Sequence, residues 1–528
     1  MLRGSLCAWA ALAACAAFGA HAGIVEWRVL SVKPYGEFAT GKYLQMEAEA
    51  RGTLDPTEPI PGLDKAARDA SGRVEYRTPV TLIFPQSRKG NGALLVDVPN
   101  RGRPISHALY NSPRDRPVAV GSLDQGLGLL ENRGYSIAVV QWEMGEGPAL
   151  PSFNEPGGRK LYAEGVGFAA VRDVTTFLRY GAAPGNPVAG GIDRAYAVGY
   201  SQTARFMKTF LVHGFNEDHG RVAFDGVHIV NAGAGVIPLL DAGPGPGSVA
   251  WDTPGHPNPE LRGVHEEPFT WGAVMHEMGR RNKSIPKVIV NNTYDDYLGG
   301  RASLARTGAH GTEPATIPYN VRVFDISGAP HTNSRTRNPA CGEGQGQLDW
   351  SPALRAQLVM LDNWVRDRAS PPESRLFELE ARPGDAEVFA TPKYLSEAVV
   401  LVPKRAADGN AHSGVELPDI AVPIASHGFM NGPLTTLACR QAGTYRPFAK
   451  TAAERAAGDT RPALDELYPG GINEYVTKVR MASGALVAQR LLMPEDALII
   501  LHSAAQNPAF APTKPRARGA VPPPTMVK

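Results

Sequence analysis

From Ala93 onward, short apolar runs alternate with amphipathic stretches, and this alternation restricts the fold more than any other feature of the chain. The runs at 93–98, 135–140, 196–198, 226–230, 287–290 and 321–326 are each of strand length. Between them, Phe168, Val171, Val174 and Leu178 recur at helical spacing, as do Ala204, Met207, Phe210 and Leu211 before Gly214. Apolar strands separated by helices demand a mostly parallel sheet with both faces covered. A last core helix is expected with Ser351 as N-cap, Pro352 at its first position and Leu354, Leu358, Leu361 and Val365 facing inward.

One junction in this series carries a nucleophile. Gly199-Tyr200-Ser201-Gln202-Thr203 follows an apolar run and precedes a helical stripe, so Ser201 is expected on a strand-to-helix elbow. A serine hydroxyl needs a nearby base, and the base needs a carboxylate to hold its tautomer and its charge. In a parallel sheet such groups gather where strands end. His331 leaves the strand ending at Ile326 through Ser327-Gly328-Ala329-Pro330, whereas His310 lies in a Gly-rich loop with no strand before it. Asp295 and Asp296 both follow the run ending at Val290; Asp296 is chosen as the acid, Asp295 is its close rival, and Asp325 lies within a strand. The oxyanion of an acyl transfer would be met by the Gln202 backbone N–H and by the loop after the first core strand, at Arg101 and Gly102.

The ends of the chain have a different character. A basic start, an uncharged Ala-rich run and Ala20-His21-Ala22 form the three parts of a signal peptide, with cleavage expected before Gly23. A lipid anchor at Cys15, in Leu12-Ala13-Ala14-Cys15, is the minority reading. Of four cysteines, Cys341 and Cys439 lie beyond this leader, and an oxidising compartment would pair them. A net charge of +2 provides no field for nucleic acid, and no apolar run is long enough for a stable membrane span. The organisation expected is a signal peptide at 1–22, a β-rich region at 23–88 packed on the core, a catalytic core at 89–370, an accessory region at 371–510 and a disordered tail at 511–528. The loop from Ala232 to Trp271, carrying Trp251, is expected to shape the substrate pocket.

Gly199-Tyr200-Ser201-Gln202-Thr203-Ala204-Arg205-Phe206 and Gly214-Phe215-Asn216-Glu217-Asp218 resemble a bacterial family of α/β-hydrolase-domain proteins with a G-Y-S-Q-[ST]-G-R-F elbow. The likeness extends to Asn100-Arg101-Gly102, Phe224-Asp225-Gly226-Val227 and Asp362-Asn363-Trp364-Val365-Arg366. It implies an α/β-hydrolase fold, a mostly parallel central sheet with helices on both faces, and an esterase-like activity. Asp296 takes the place of the family's acid, with Asp where Glu is usual, and Ala204 replaces a glycine of the elbow. The expected function is a cofactor-free, secreted or periplasmic serine hydrolase that cleaves a small-molecule ester through Ser201, His331 and Asp296. The alternative is a non-catalytic envelope binding protein on the same scaffold. A metal site at His213, Glu217 and His219 is a further reading, since residues 213 and 217 are expected to share a helical face, but no H-E-x-x-H pattern is present and no metal is expected.

Overall fold

A computed structural model describes residues 23–511 apart from 89, 155, 159, 241–268, 309, 334–337, 382–398, 429 and 433–436. The expected leader with Cys15, the tail beyond 511 and Trp251 lie outside the described residues.

Nine strands make one sheet: β1 (Gly23–Phe38), β2 (Gly41–Leu54), β3 (Val74–Pro85), β4 (Ala93–Asp97), β5 (Ser136–Val140), β6 (Arg194–Tyr200), β7 (Gly226–Val230), β8 (Lys287–Thr293) and β9 (Val321–Ile326). Their order across the sheet is β1-β2-β3-β5-β4-β6-β7-β8-β9. From β5 to β9 every neighbouring pair is parallel. The first three strands are antiparallel, and β3 joins β5 from Val80 opposite Val140 to Ile83 opposite Ile137. Residues 23–88 join the core by extending its sheet edge to edge, because β3 occupies the backbone donors and acceptors that β5 would otherwise leave open.

Alternation along each strand divides the core between the two faces. In β4, Leu94 and Val96 enter one apolar cluster, and Ala93 and Leu95 enter the other. The first cluster is closed by α1 (Gly165–Tyr180), α2 (Gln202–Val212) and α3 (Trp271–Arg280), which bury the stripes of Phe168, Met207 and Val274. The second is closed by α4 (Ser351–Arg366) together with α5 (Gly471–Ala488) and α6 (Pro494–Ala505), which insert Tyr475, Val479 and Ile500 beside Leu354 and Leu358. Each such side chain removed from water stabilises the fold by roughly 2 kcal/mol. The accessory region thus shares the core, and a buried ion pair of 2.6 Å from Arg355 to Asp496 ties α4 to α6.

Helix α4 begins one residue earlier than expected: Ser351 is already helical, Trp350 is the N-cap, and Asp349 Oδ1 accepts the Ser351 N–H at 3.2 Å. The carboxylate two residues upstream satisfies a first-turn donor, so no hydroxyl cap is needed.

Candidate active site

Ser201 leaves β6 with φ 57° and ψ −112°, a conformation that costs an L-residue on the order of 1–3 kcal/mol unless its surroundings impose it. They do. Ser201 N–H donates to Val230 O at 2.8 Å, Tyr200 N–H to Thr203 Oγ1 at 3.0 Å, and Asn100 Nδ2 to Tyr200 O at 2.9 Å. The elbow folds back so tightly that a Cβ at Gly199 would lie 2.2 Å from Thr203 O. The indispensable glycine is therefore at 199, while the Ala204 methyl is fully buried in the core.

The side chains expected to act together are brought together. His331 Nε2 lies 2.8 Å from Ser201 Oγ, and His331 Nδ1 lies 2.6 Å from Asp296 Oδ1. The short helix Tyr294–Leu298 explains why Asp296 and not Asp295 faces the ring. Asp296 is its N3 residue, and Oδ2 accepts from the Thr293 N–H at 2.7 Å and from Thr293 Oγ1 at 2.8 Å, which aims Oδ1 at the histidine. Asp295, one position away around the helix, instead accepts the His331 backbone N–H at 3.1 Å. Tyr200 OH and Asn231 Nδ2 both donate to His331 O, at 2.7 and 2.9 Å. Burial pushes the Tyr200 phenol well up, so it remains a donor.

Gln202 opens α2, where first-turn N–H groups have no intrahelical acceptor. Across from it, Asn100 and Arg103 exchange backbone hydrogen bonds of 2.9 and 3.1 Å around Arg101 (φ 50°) and Gly102 (φ 72°), a two-residue turn with both central residues left-handed. Three side chains absent from the sequence reading hold this turn against the elbow. Gln141 Nε2 donates to Gly102 O at 3.0 Å, Trp142 Nε1 donates to Pro99 O at 3.0 Å, and Glu143 Oε1 accepts from Gln202 Nε2 at 2.7 Å. Burial raises the Glu143 carboxyl. Their position directly after β5, on the same sheet edge as the other groups, is the signal that could have found them.

Cys341 and Cys439 are bonded, with Cα atoms 5.3 Å apart. Two residues beyond Cys439, Gln441 O accepts from both the N–H and the hydroxyl of Thr332, each at 3.0 Å. The loop that carries His331 is thereby clamped to the C-terminal region, with Arg446 and Glu343 adding a 2.7 Å ion pair.

The other candidates stand apart from this group. His310 is exposed in its loop. Asp325 is buried in β9 and paired with Arg306 Nη1 at 2.8 Å and Tyr297 OH at 2.7 Å. His213, Glu217 and His219 do not form the face expected of them. Helix α2 ends at Val212, Gly214 turns the chain with φ 80°, and the Glu217 carboxylate receives the Ser284 N–H at 3.0 Å. Among the described residues no His, Cys, Asp or Glu cluster is arranged to hold a metal ion.

Residues 135–502, more than half of the chain, match the family described as alpha/beta hydrolase domain. The chain belongs to the alpha/beta hydrolase domain family. Its large mixed sheet, mostly parallel and flanked by helices, is the α/β-hydrolase fold expected from the sequence. No curated protein matches this family member in sequence. Among solved structures it is similar to a CE15 glucuronoyl esterase from Teredinibacter turnerae T7901, at 15% identity and a TM-score of 0.27, over 51% of this chain and 61% of that one. A glucuronoyl esterase from Solibacter usitatus is 12% identical with a TM-score of 0.27, over 57% of this chain and 81% of that one. The cell wall degrading esterase LipA from Xanthomonas oryzae is 13% identical with a TM-score of 0.20, over 39% and 50%. The chain thus spans less than two thirds of the first of these structures. At such identities and TM-scores the likeness says nothing of substrate. No helix among the described residues is long and apolar enough to cross a membrane.

Proposed function

We propose that this alpha/beta hydrolase domain protein is a serine hydrolase that cleaves a small-molecule carboxylic ester. The observation that carries the reading is the 2.8 Å approach of His331 Nε2 to Ser201 Oγ on a strained elbow, with Asp296 at 2.6 Å behind the ring. Ser201 Oγ attacks the ester carbonyl while His331 Nε2 takes the hydroxyl proton, and Asp296 stabilises the imidazolium. The negative charge that develops on the carbonyl oxygen is met by the Gln202 N–H and by the turn at Arg101 and Gly102. His331 then returns the proton to the departing alcohol, and the acyl group remains on Ser201. Water, deprotonated by the same ring, releases the acid. Nucleophile, base and water suffice, so the reaction calls on no cofactor.

Secretion, to the periplasm or beyond, after cleavage before Gly23 belongs to the same reading. The Cys341–Cys439 bond supports it, because such bonds persist in oxidising compartments.

A fluorophosphonate followed by peptide mapping tests the proposal. A single adduct on Ser201 is expected, and Ser201→Ala should lower kcat on an activated ester by roughly a millionfold while the protein stays folded. Folded protein that takes no adduct would instead favour a non-catalytic envelope binding protein.

A further inference from the structure

The strands β6, β7, β8 and β9 run parallel, so their starts line the sheet edge opposite to Ser201, Asp296 and His331. At that opposite edge a cavity of about 460 Å³ opens beside Lys287, the first residue of β8. Its apolar wall comes from Val222, Ile285, Trp364 and Val365, and its cations are Lys287 and Arg368.

The charges here are unbalanced. Lys287 Nζ lies 5.0 Å from the centre of the Trp364 ring and 5.5 Å from that of Tyr319, and the Arg322 guanidinium lies 5.5 Å from the same Trp364 ring. Two cations therefore share one indole. Among the described residues, neither Lys287 Nζ nor the Arg368 guanidinium is paired with a carboxylate. Asp225, the acidic residue of the lining, has its Oδ2 engaged by Arg179 Nη2 at 2.8 Å and by the Ala195 N–H at 2.9 Å, so its charge is already balanced by Arg179. Glu373 approaches Arg322 only to 3.5 Å with its side chain 90% exposed, so it contributes little, and Arg322 Nε is buried without an acceptor. Burial and the neighbouring Arg322 both push the Lys287 ammonium below its ordinary value. An anion placed in the cavity would offset the repulsion between the two cations.

We propose that this cavity binds an organic anion, a carboxylate carried on a flat ring, with Lys287 and Arg368 meeting the carboxylate and the ring lying against Ile285, Val365 and Trp364. The volume lies within the range of about 300–1,000 Å³ typical of small-molecule sites. An inorganic anion would satisfy the cations but leave the apolar wall in water. A ring carboxylate satisfies both. The site is independent of the ester chemistry proposed above and stands or falls without it.

Isothermal titration of the full-length protein with benzoate and with inorganic phosphate tests this. Benzoate should bind saturably and phosphate at least tenfold more weakly. Lys287→Gln and Arg368→Gln should each weaken benzoate binding about tenfold, the size expected for losing one charge-assisted contact. Ser201→Ala should bind benzoate as the parent protein does, because it lies at the other edge of the sheet. Arg368 is exposed, so its variant tests the site even where Lys287→Gln disturbs folding. Absence of saturable binding, benzoate binding untouched by Arg368→Gln, or phosphate binding as tight as benzoate binding would each overturn the proposal.

Discussion

Ser201 and His331 meet at 2.8 Å, yet the balance of local and distant contacts that secures them differs. The serine is shaped largely by its own neighbourhood in sequence, where Gly199 permits the fold-back, Thr203 Oγ1 binds the Tyr200 N–H and α2 starts one residue later, with Val230 O and Asn100 Nδ2 as distant contacts. The histidine depends on distant chain. Its loop is bonded to Asp295 and Asp296, to Tyr200 and Asn231, and through Thr332 to Gln441, next to a disulfide that spans 98 residues of sequence. A nucleophile on an elbow can be built locally because strand, turn and helix are consecutive. A base on a long loop must be ordered by contacts whose cost in chain entropy is met elsewhere in the fold.

Among changes to the supports of this pair, the largest effect should come from the carboxylate behind His331. Asp296→Asn would present His331 Nδ1 with an amide and favour the wrong tautomer, and kcat on a p-nitrophenyl ester should fall roughly ten-thousand-fold with the melting temperature nearly unchanged. A fall of less than tenfold would remove Asp296 from its proposed role.

The next effect concerns the distant support alone. Replacing both Cys341 and Cys439 by Ser should destabilise the protein by about 2–5 kcal/mol and lower kcat about tenfold with little change in KM. A lower melting temperature with kcat untouched would mean that the clamp stabilises the C-terminal region without placing His331.

Acid should sharpen the contrast further. His427 packs where a Cβ on Gly328, in the turn before His331, would touch it at 3.0 Å, and burial holds its imidazole down to about 4. The unfolded chain would bind that proton near pH 6.5. Stability from the neutral ring is therefore whole above about pH 6.5 and shrinks as the pH falls toward 4, since the unfolded state then binds more protons. Melting temperature measured between pH 7 and 4 should decline, and His427→Leu should flatten the decline. An unchanged slope would assign the acid sensitivity to His213 and His228, each also held down to about 4 by burial. The smallest effect is expected from Asp295→Asn, whose amide oxygen can still accept the His331 N–H; kcat should change by less than about tenfold.

Much of the fold was legible because its signals are short-range. Apolar runs of strand length and stripes at helical spacing marked β4 to β9 and α1, α2 and α4, since burial on two faces or on one leaves its period in the residues themselves. The way residues 23–88 join the core was not legible for the converse reason. Their strand character showed, but which edge β3 would cover depends on a backbone pairing with β5 that no local pattern encodes. The roles of Gln141, Trp142 and Glu143 were hidden likewise, because each acts on a loop roughly forty or more residues away in the chain.

By itself, then, the sequence determined an elbow with Ser201 at its apex, a histidine and two carboxylates at strand ends, and two cysteines available to pair. Only the tertiary structure decided that Asp296 faces the ring while Asp295 holds its backbone, because adjacent residues on a helical turn point in different directions and Thr293 selects which one turns inward. It alone set Lys287 and Arg322 against Trp364 and brought Arg368 to the same cavity as Lys287, because charges from two strand starts and a helix end meet only once the sheet and α4 have packed.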